Sequence, residues 1–447
     1  MIPRVVIAGT SSGAGKTTVA CGLIGALRAR GLSVQGFKVG PDYIDPSYHA
    51  LASGRPGRNL DAFLSGPELI APLVRHGGQG AEIAVIEGVM GMFDGVSGRG
   101  ELASTAQVAK LLRAPVLLVV DASAMARSAA AIVHGFRTFD PDVALAGVIF
   151  NRVGSDGHEQ LLREAVAGLG VPVLGALRRD ERVAAPERHL GLVPADERER
   201  RATDALTALA GAIERHADLD AIDRLARAAT ELPGPRWRPD RAPRAATATP
   251  IAIARGPAFS FHYTENLELL EAAGGELLAF DPTTDEALPA GARALILAGG
   301  FPEIFGAELE ANVALRAEVG AFAAAGRPVL AECGGLLYLL DELDGHQMCG
   351  VLSGRGGMAG RLTLGYREAL AATATPWMSA GERVRGHEFH YSAIDSPATA
   401  SPAWRLSAHG AMREEGIVAG AVQASYLHVH WAANADLASR FVRAAAA

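Results

Sequence analysis

Three short stretches of this chain carry groups able to attack a carbonyl or hold a phosphate. Cys333 ends the run Arg327-Pro-Val-Leu-Ala-Glu-Cys333 and is followed by Gly334-Gly335-Leu-Leu-Tyr338, an apolar strand turning sharply into a helix. A thiol on such an elbow stands beside free backbone N–H groups and a positive helix end, an environment expected to lower its pKa and favour thiolate. Farther on, Ser425-Tyr-Leu-His428-Val-His430-Trp431 supplies a histidine base on a hydrophobic segment. Near the other end, Gly9-Thr-Ser-Ser-Gly13-Ala-Gly15-Lys16-Thr17-Thr18 follows a strand and precedes an amphipathic run to Arg30. That is the setting of a phosphate cradle, where glycine N–H groups and a helix N-terminus close on phosphate oxygens. Gly13, Gly15, Lys16, Thr17 and Thr18 are therefore assigned to ATP. Lys16 neutralises β/γ charge and Thr17 ligates Mg²⁺. The first glycine, Gly9, sits one residue earlier than strict GxxxxGK[ST] spacing would place it, where Thr10 stands, and Ser11-Ser12 replace the signature lysine of partition ATPases. A cradle and a nucleophilic cysteine in one chain indicate an enzyme that spends ATP and also forms a thioester.

Other polar groups fall at the ends of predicted strands, where open α/β sheets bind ligands. Ile86-Glu87-Gly88 offers a carboxylate to Mg²⁺ or to a water, and Phe150-Asn151-Arg152 offers an amide to the adenine edge. The segment Lys38–His49 is dense in charge, and Lys38, Asp42, Tyr43 and Asp45 are its candidate substrate contacts. Asp42 joins Thr17 and Glu87 as a candidate metal ligand.

These groups need elements to position them. Val5–Ala8, Val34–Val39, Ile83–Glu87, Val116–Asp121, Leu145–Asn151 and Val171–Leu177 read as buried strands separated by helical stretches, which predicts a parallel sheet covered on both faces. From Asp196 to about Thr230 the pattern is helical and charged, and Pro233, Pro235, Pro239, Pro243 and Pro250 follow as linker chemistry. A second α/β alternation restarts at Ile251–Ala254 and runs through Leu277–Phe280, Ala294–Leu297 and Pro328–Ala331. The reading is an α/β chain of two doubly wound domains, residues 1–195 and 250–447, joined by 196–249.

Composition narrows the class. Of 447 residues, 49% are hydrophobic and the net charge is −7, which gives no reason to expect nucleic acid or an anionic membrane as partner. Cys21, Cys333 and Cys349 form too sparse a set for disulfides or zinc, and Cys21 and Cys349 read as inert thiols. The N-terminus reads as a strand rather than a signal peptide, and no apolar run reaches the ~18–20 residues of a membrane span. A cytoplasmic protein, with a homodimer allowed, is the expectation.

Taken together, Gly9–Thr18, Lys38–His49, Glu87–Gly95, Asn151-Arg152, Ala298–Glu303, Glu332–Gly335, Leu364–Arg367, Gly386–Tyr391 and Ser425–Trp431 resemble the cobyrinate/hydrogenobyrinate a,c-diamide synthases. The resemblance spans nearly the whole chain. It implies an N-terminal dethiobiotin-synthetase-like, P-loop-type ATP domain and a C-terminal class I glutamine amidotransferase domain, flavodoxin-like in fold. The implied reaction is a carbon–nitrogen ligation in which two carboxylates of a corrinoid acid become amides through acyl phosphates, at the expense of ATP and L-glutamine. Cys333 and His428 would release ammonia from glutamine, with Gly300 and Gly334 N–H groups meeting the oxyanion. Many class I glutaminases carry Gly-x-Cys-x-Gly-x-Gln, whereas Ala331 and Leu337 hold the outer positions here. Their usual His-Pro-Glu is His428-Val429-His430, so the triad acid is missing from its expected place. His430, on the same side of an extended segment, is placed to orient His428 instead. His387-Glu388-x-His390 lacks metal spacing and reads as a structural or substrate-edge element. Alternatives are a cobyric acid synthase, a nickel-sirohydrochlorin a,c-diamide synthase, or a nucleotide-switched binding protein with an inactive amidotransferase domain.

Overall fold

The computed structural model describes residues 2–179, 199–241, 247–395, 401–408 and 411–447. The predicted boundary at 195, and Pro243, lie outside them. The chain divides into two compact units, Met1–Trp237 and Arg238–Ala447.

Seven strands build one parallel sheet in the first unit: β1 (Arg4–Gly9), β2 (Val34–Val39), β3 (Arg58–Leu60), β4 (Ile83–Glu87), β5 (Val116–Asp121), β6 (Leu145–Val153) and β7 (Val173–Arg178). Their order is β3-β2-β4-β1-β5-β6-β7. The central strands β1, β2 and β4 are buried along their whole length, as expected of hydrophobic runs covered on both faces. Register places Ile7 and Lys38 on either side of Glu87, so the residues that end β2 and β4 are neighbours across the sheet. Helices α1 (Lys16–Ala29) and α2 (Ile44–Ser53) start directly from that edge.

The helical segment expected to connect the domains is packed into the first unit. Helix Glu199–His216 lies against α1 so closely that a Cβ on Gly22 would sit 2.7 Å from Ile213 Cγ1. Its charged sequence hid an apolar stripe of Leu206, Leu209 and Ile213, all buried. The proline-rich stretch continues the packing: Trp237 is buried, donates its N–H to the Pro72 carbonyl at 3.1 Å, and sets its ring edge-on to His76.

The second unit holds two sheets. The first combines β8 (Thr249–Ala254), β9 (Gly275–Phe280), β10 (Ala294–Leu297) and β11 (Val329–Glu332). The others described are β12 (Leu340–Leu343), β13 (His346–Gln347), β14 (Leu352–Ala371), β15 (Arg383–Asp395), β16 (Trp404–Ala408), β17 (Ala411–Glu415), β18 (Ile417–Ala419), β19 (Val422–Ser425) and β20 (His428–Val429). The α/β sheet runs β18-β19-β11-β10-β8-β9, parallel except for β18. The remaining strands form a mostly antiparallel sheet around the long β14–β15 ladder, which the sequence reading did not anticipate. Its irregular, glycine-containing alternation carries no strong period in a single sequence. Among the described residues no helix is long and apolar enough to cross a membrane.

The close approach at Gly22 is testable. Gly22→Val should destabilise the protein by about 1–3 kcal/mol through overpacking. Gly135→Ala, in an exposed helical turn with open space around it, should stabilise by about 0.5–1 kcal/mol. Urea unfolding followed by circular dichroism reads both. Equal effects would mean that the helix Glu199–His216 does not pack against α1.

Candidate active site

In the first unit the cradle grows out of β1. Gly13 and Gly15 take positive φ of 76° and 99°, and α1 begins at Lys16 with Thr17 and Thr18 in its first turn. Gly15 is also a close-approach site, because a Cβ there would fall 2.0 Å from Asn151 Nδ2. The Asn151 amide donates to the Ala14 carbonyl at 3.1 Å and its oxygen accepts the Arg152 N–H at 3.0 Å. One N–H of this amide therefore braces the phosphate loop. Lys16 bends over its own loop and donates to the Ser11 and Met90 carbonyls at 3.0 and 2.5 Å. Burial, with Lys38 nearby, pulls its pKa down to about 8.

Beside the cradle lies a buried knot of charge. Glu87, wholly buried, accepts from Lys38 Nζ at 2.8 Å and Thr17 Oγ1 at 2.6 Å, and its second oxygen is 2.7 Å from His49 Nε2. Lys38 also pairs with Asp45 Oδ2 at 2.5 Å. Burial pushes the Glu87 pKa up, but Lys38 and His49 outweigh it and hold the carboxylate ionised. Burial also works against the Lys38 charge, yet Asp45 and Glu87 keep the ammonium charged. Asp45 goes the other way: burial, Asp42 and Glu87 raise its pKa well above the ordinary value. The Asp45 carboxylate is thus the charge that its surroundings disfavour most, and an added cation would relieve it.

Among the described residues no three His, Cys, Asp or Glu side chains converge as a metal cage. The oxygens at hand suit Mg²⁺, which takes one or two carboxylates and completes its shell with phosphates and waters. Thr17 Oγ1 lies 3.4 Å from Asp45 Oδ2, so Asp45 stands beside Thr17 and Glu87. Asp42, an expected ligand, turns Oδ1 to the Ile44 and Asp45 N–H groups at 2.8 and 3.0 Å. It fixes the start of α2, with Tyr43 at the cap position.

In the second unit Cys333 sits at the β11 elbow with φ 50° and ψ −101°, a strained conformation for a residue with a side chain. Gly335 makes the turn fit, since a Cβ there would lie 2.1 Å from the Leu297 carbonyl oxygen. At Gly334 a Cβ would be 3.0 Å from the Gly300 nitrogen, so these two backbones meet beside the thiol. The Cys333 N–H donates to the Ser425 carbonyl at 2.7 Å, and His428 follows three residues later on β20. His428 is buried, stacks on His387 at 5.0 Å between ring centroids, and places Nδ1 3.7 Å from Glu332 Oε2.

Two expectations are corrected here. Burial raises the Cys333 pKa instead of lowering it, and Glu303, Glu332 and Glu415 add to the rise against the single opposing Gly334 N–H. The helix end is too short a dipole and the site too dry for the thiolate to be favoured alone. His430, expected to orient His428, directs Nε2 to Glu265 Oε2 at 3.4 Å.

An open cavity of about 540 Å³ is lined by Arg367, His390, Arg413, Glu415 and Tyr426 among others. Glu388 is fully buried between Arg367, at 2.5 Å, and Arg413. Glu415 accepts from Ser425 Oγ at 2.6 Å and the Tyr426 N–H at 2.7 Å. Burial raises its pKa to about 7. Arg413 and Glu415 escaped the sequence reading because nothing in their local pattern marks them; the fold brings them beside the segment that contacts Cys333.

Two family models match the two units. Residues 5–193 match a CobQ/CobB/MinD/ParA nucleotide binding domain, and residues 250–436 match a CobB/CobQ-like glutamine amidotransferase domain. Hydrogenobyrinate a,c-diamide synthase of Streptomyces coelicolor is 53% identical, covering 99% of this chain and 97% of its own. The enzyme of the same name from Thermobifida fusca is 49% identical over 99% of this chain and 97% of its own. This chain belongs to the a,c-diamide synthase family. A cobyrinate a,c-diamide synthase of Gloeobacter violaceus is 44% identical over 98% of this chain and 96% of its own. Within the a,c-diamide synthase family the nucleotide-binding and amidotransferase units described above are thus the shared parts.

The protonated resting thiol gives a direct test. Alkylation of Cys333 by iodoacetamide should be slow at pH 7 and still rising above pH 9, because the raised pKa keeps the thiol protonated through neutrality. A rate that levels off by pH 7.5 would show a thiolate already formed in the free protein.

Proposed function

We propose that this chain amidates the a and c side-chain carboxylates of hydrogenobyrinate, using ATP and glutamine. The observation that carries the reading is the presence in one chain of a phosphate cradle and a strained cysteine elbow with a buried histidine near it. Identity over nearly the full length supports the ring assignment. Relatives named for hydrogenobyrinate stand at 49–53%, and those named for cobyrinate at 42–46%.

The chemistry divides between the units. A carboxylate resists ammonia at neutral pH, so it is first phosphorylated by ATP, and ammonia then displaces phosphate from the acyl carbon. Lys16 and the N–H groups of Gly13 and Gly15 hold the phosphates. Lys38 neutralises charge between the phosphoryl group and the entering carboxylate, and Tyr43 and α2 stand where that carboxylate would lie. Mg²⁺ would be held by Thr17, Glu87 and Asp45 and would supply charge neutralisation on the phosphates. In the second unit, the cavity lined by Arg367, Arg413 and Glu415 takes the charged end of free glutamine, and Cys333 attacks its amide. The Gly300 and Gly334 N–H groups face the oxyanion that forms.

Cys333→Ser should abolish glutamine-dependent diamide formation while high ammonium restores it, because the thiol serves only to release ammonia. Lys16→Ala should remove both routes by about 10²–10³-fold or more, since no carboxylate is activated without the phosphate contact. Chromatography of products from hydrogenobyrinate with each nitrogen source decides. Failure of ammonium to rescue a folded Cys333→Ser protein would overturn the division of labour.

Lys16 also predicts a proton effect. With its pKa pulled down to about 8, the amine is about half charged at pH 8 in the free protein. A triphosphate favours the charged form, so ATP binding at pH 8 should take up a fraction of a proton. Calorimetry in buffers of different ionisation enthalpy measures it. The uptake should vanish in Lys16→Arg, whose guanidinium stays charged, and a buffer-independent enthalpy in the parent protein would contradict the placement of Lys16 at the phosphates.

A further inference from the structure

We propose that Glu332, the residue just before the nucleophile, is the positioning carboxylate for His428 and replaces the acid that the His428-Val429-His430 segment lacks. The proposal rests on the glutaminase reading above.

The acids around the elbow are largely committed elsewhere. Glu265 faces His430 at 3.4 Å, on helix Thr264–Ala272, whose Asn266 also ties down the Val429 carbonyl and the Trp431 N–H at 2.8 Å each. Glu415 accepts from Ser425 and Tyr426, one bond on each oxygen. Glu388 is held by Arg367 and Arg413. Glu332 lies within ion-pair distance of His428, its Oε2 3.7 Å from Nδ1. Its other oxygen faces the Val429 N–H at 3.4 Å, which aims the carboxylate along β20.

The imidazole itself is confined. His387, opposite it in the β15–β20 register, stacks on one face with 16° between the planes. Gly299 leaves no slack at the ring edge, because a Cβ there would sit 2.5 Å from His428 Cε1. Closing 3.7 Å to a hydrogen bond then falls to a small shift of the Glu332 carboxylate, as catalytic contacts often tighten only when substrate binds. With Nδ1–H turned to Glu332, Nε2 is left as the proton acceptor.

The proton then has a balanced route. The Cys333 Sγ–H proton moves to His428 Nε2, and the sulfur attacks the glutamine amide carbon. The C–N bond breaks as the Nε2 proton passes to the departing nitrogen, which leaves as ammonia. Water, deprotonated by the same Nε2, cleaves the thioester to glutamate and restores the thiol. At the imidazolium stage both ring nitrogens carry protons, and the Glu332 charge compensates them. This is needed here because burial and the neighbouring carboxylates of Glu303, Glu332 and Glu415 disfavour a lone thiolate. Glu332 opposes the isolated thiolate yet favours the thiolate–imidazolium pair that reacts.

The test compares full-length Glu332→Gln, Glu332→Asp and Glu265→Gln, reading glutaminase kcat and KM from pH 6 to 9 beside ammonia-supported amidation. The groups facing His428 that could also titrate are His387, His430 and Tyr263 behind it, and Glu303 and Glu415 around the thiol. Glu332→Gln should lower glutaminase kcat on the order of 10²-fold, with KM for glutamine within about twofold. Removing the carboxylate makes the imidazolium less stable, so the acidic limb of the kcat/KM profile should move to lower pH. Glu332→Asp should recover part of the rate, and Glu265→Gln should cost less than Glu332→Gln. An unchanged kcat, an unmoved acidic limb, or a larger loss in Glu265→Gln would overturn the assignment. If the parent protein fails to amidate hydrogenobyrinate even with ammonium, it is the diamide synthase reading that fails. Glutamate release by the same variants would still decide the role of Glu332.

Discussion

A carboxylate with no surface in water must find a partner for its charge, and Glu87 finds three: Lys38, Thr17 and His49. Each comes from a different element, so satisfying one buried charge fixes β2, β4, α1 and α2 against one another at the carboxyl edge of the sheet. Leaving one member of a buried pair alone typically costs ~3–5 kcal/mol, which makes the arrangement close to obligatory. The same knot places Lys38 and Asp45 at the mouth of the cradle. Function and packing are joined there, because the charges that hold the edge together are those a phosphate and a cation would meet.

The second unit solves a related problem with backbone strain. Cys333 combines φ 50° with ψ −101°, a conformation that a residue with a Cβ keeps only where its surroundings hold it. Those surroundings are the Ser425 carbonyl on its N–H, Gly335 against Leu297, and Gly300 against Gly334. In both units the candidate site lies where parallel strands end, since such strands point their terminal residues toward one rim. The dryness that holds each site rigid also sets its electrostatics. It pulls the Lys16 ammonium down to about 8, pushes the Cys333 thiol up, and leaves Glu303 at about 7.

The antiparallel sheet gives the elbow its remaining partners. Through β20 it carries His428 opposite His387, and through the β14–β15 ladder it brings Arg367 to Glu388. Arg413 arrives from β17, which pairs with β16 at the end of the same ladder. An α/β core by itself would expose Cys333 but would supply no cavity beside it. The extra sheet is therefore the part of the second unit that covers the elbow and lines the cavity near it.

What the sequence determined by itself is local. Gly13, Gly15 and Lys16 declare a phosphate loop because glycines and a helix start at that spacing suit few other purposes. Glu332-Cys333-Gly334 declares an elbow for the same reason, and buried strands on both sides of each motif declare the two α/β cores. What only the tertiary structure decided is which distant side chains meet. Asp45 stands beside Thr17, and Asp42 turns Oδ1 to the start of α2. His430 turns to Glu265 and leaves Glu332 to His428, a pairing set by β11 and β19 lying side by side. The helix Glu199–His216 joins the first unit because α1 offers Gly22 as a groove for Ile213. Even the sign of the Cys333 pKa shift followed from burial, which no run of residues displays. Spacing along a chain records backbone geometry, whereas charge partners and dryness are properties of the folded interior and appear only when remote segments close on one another.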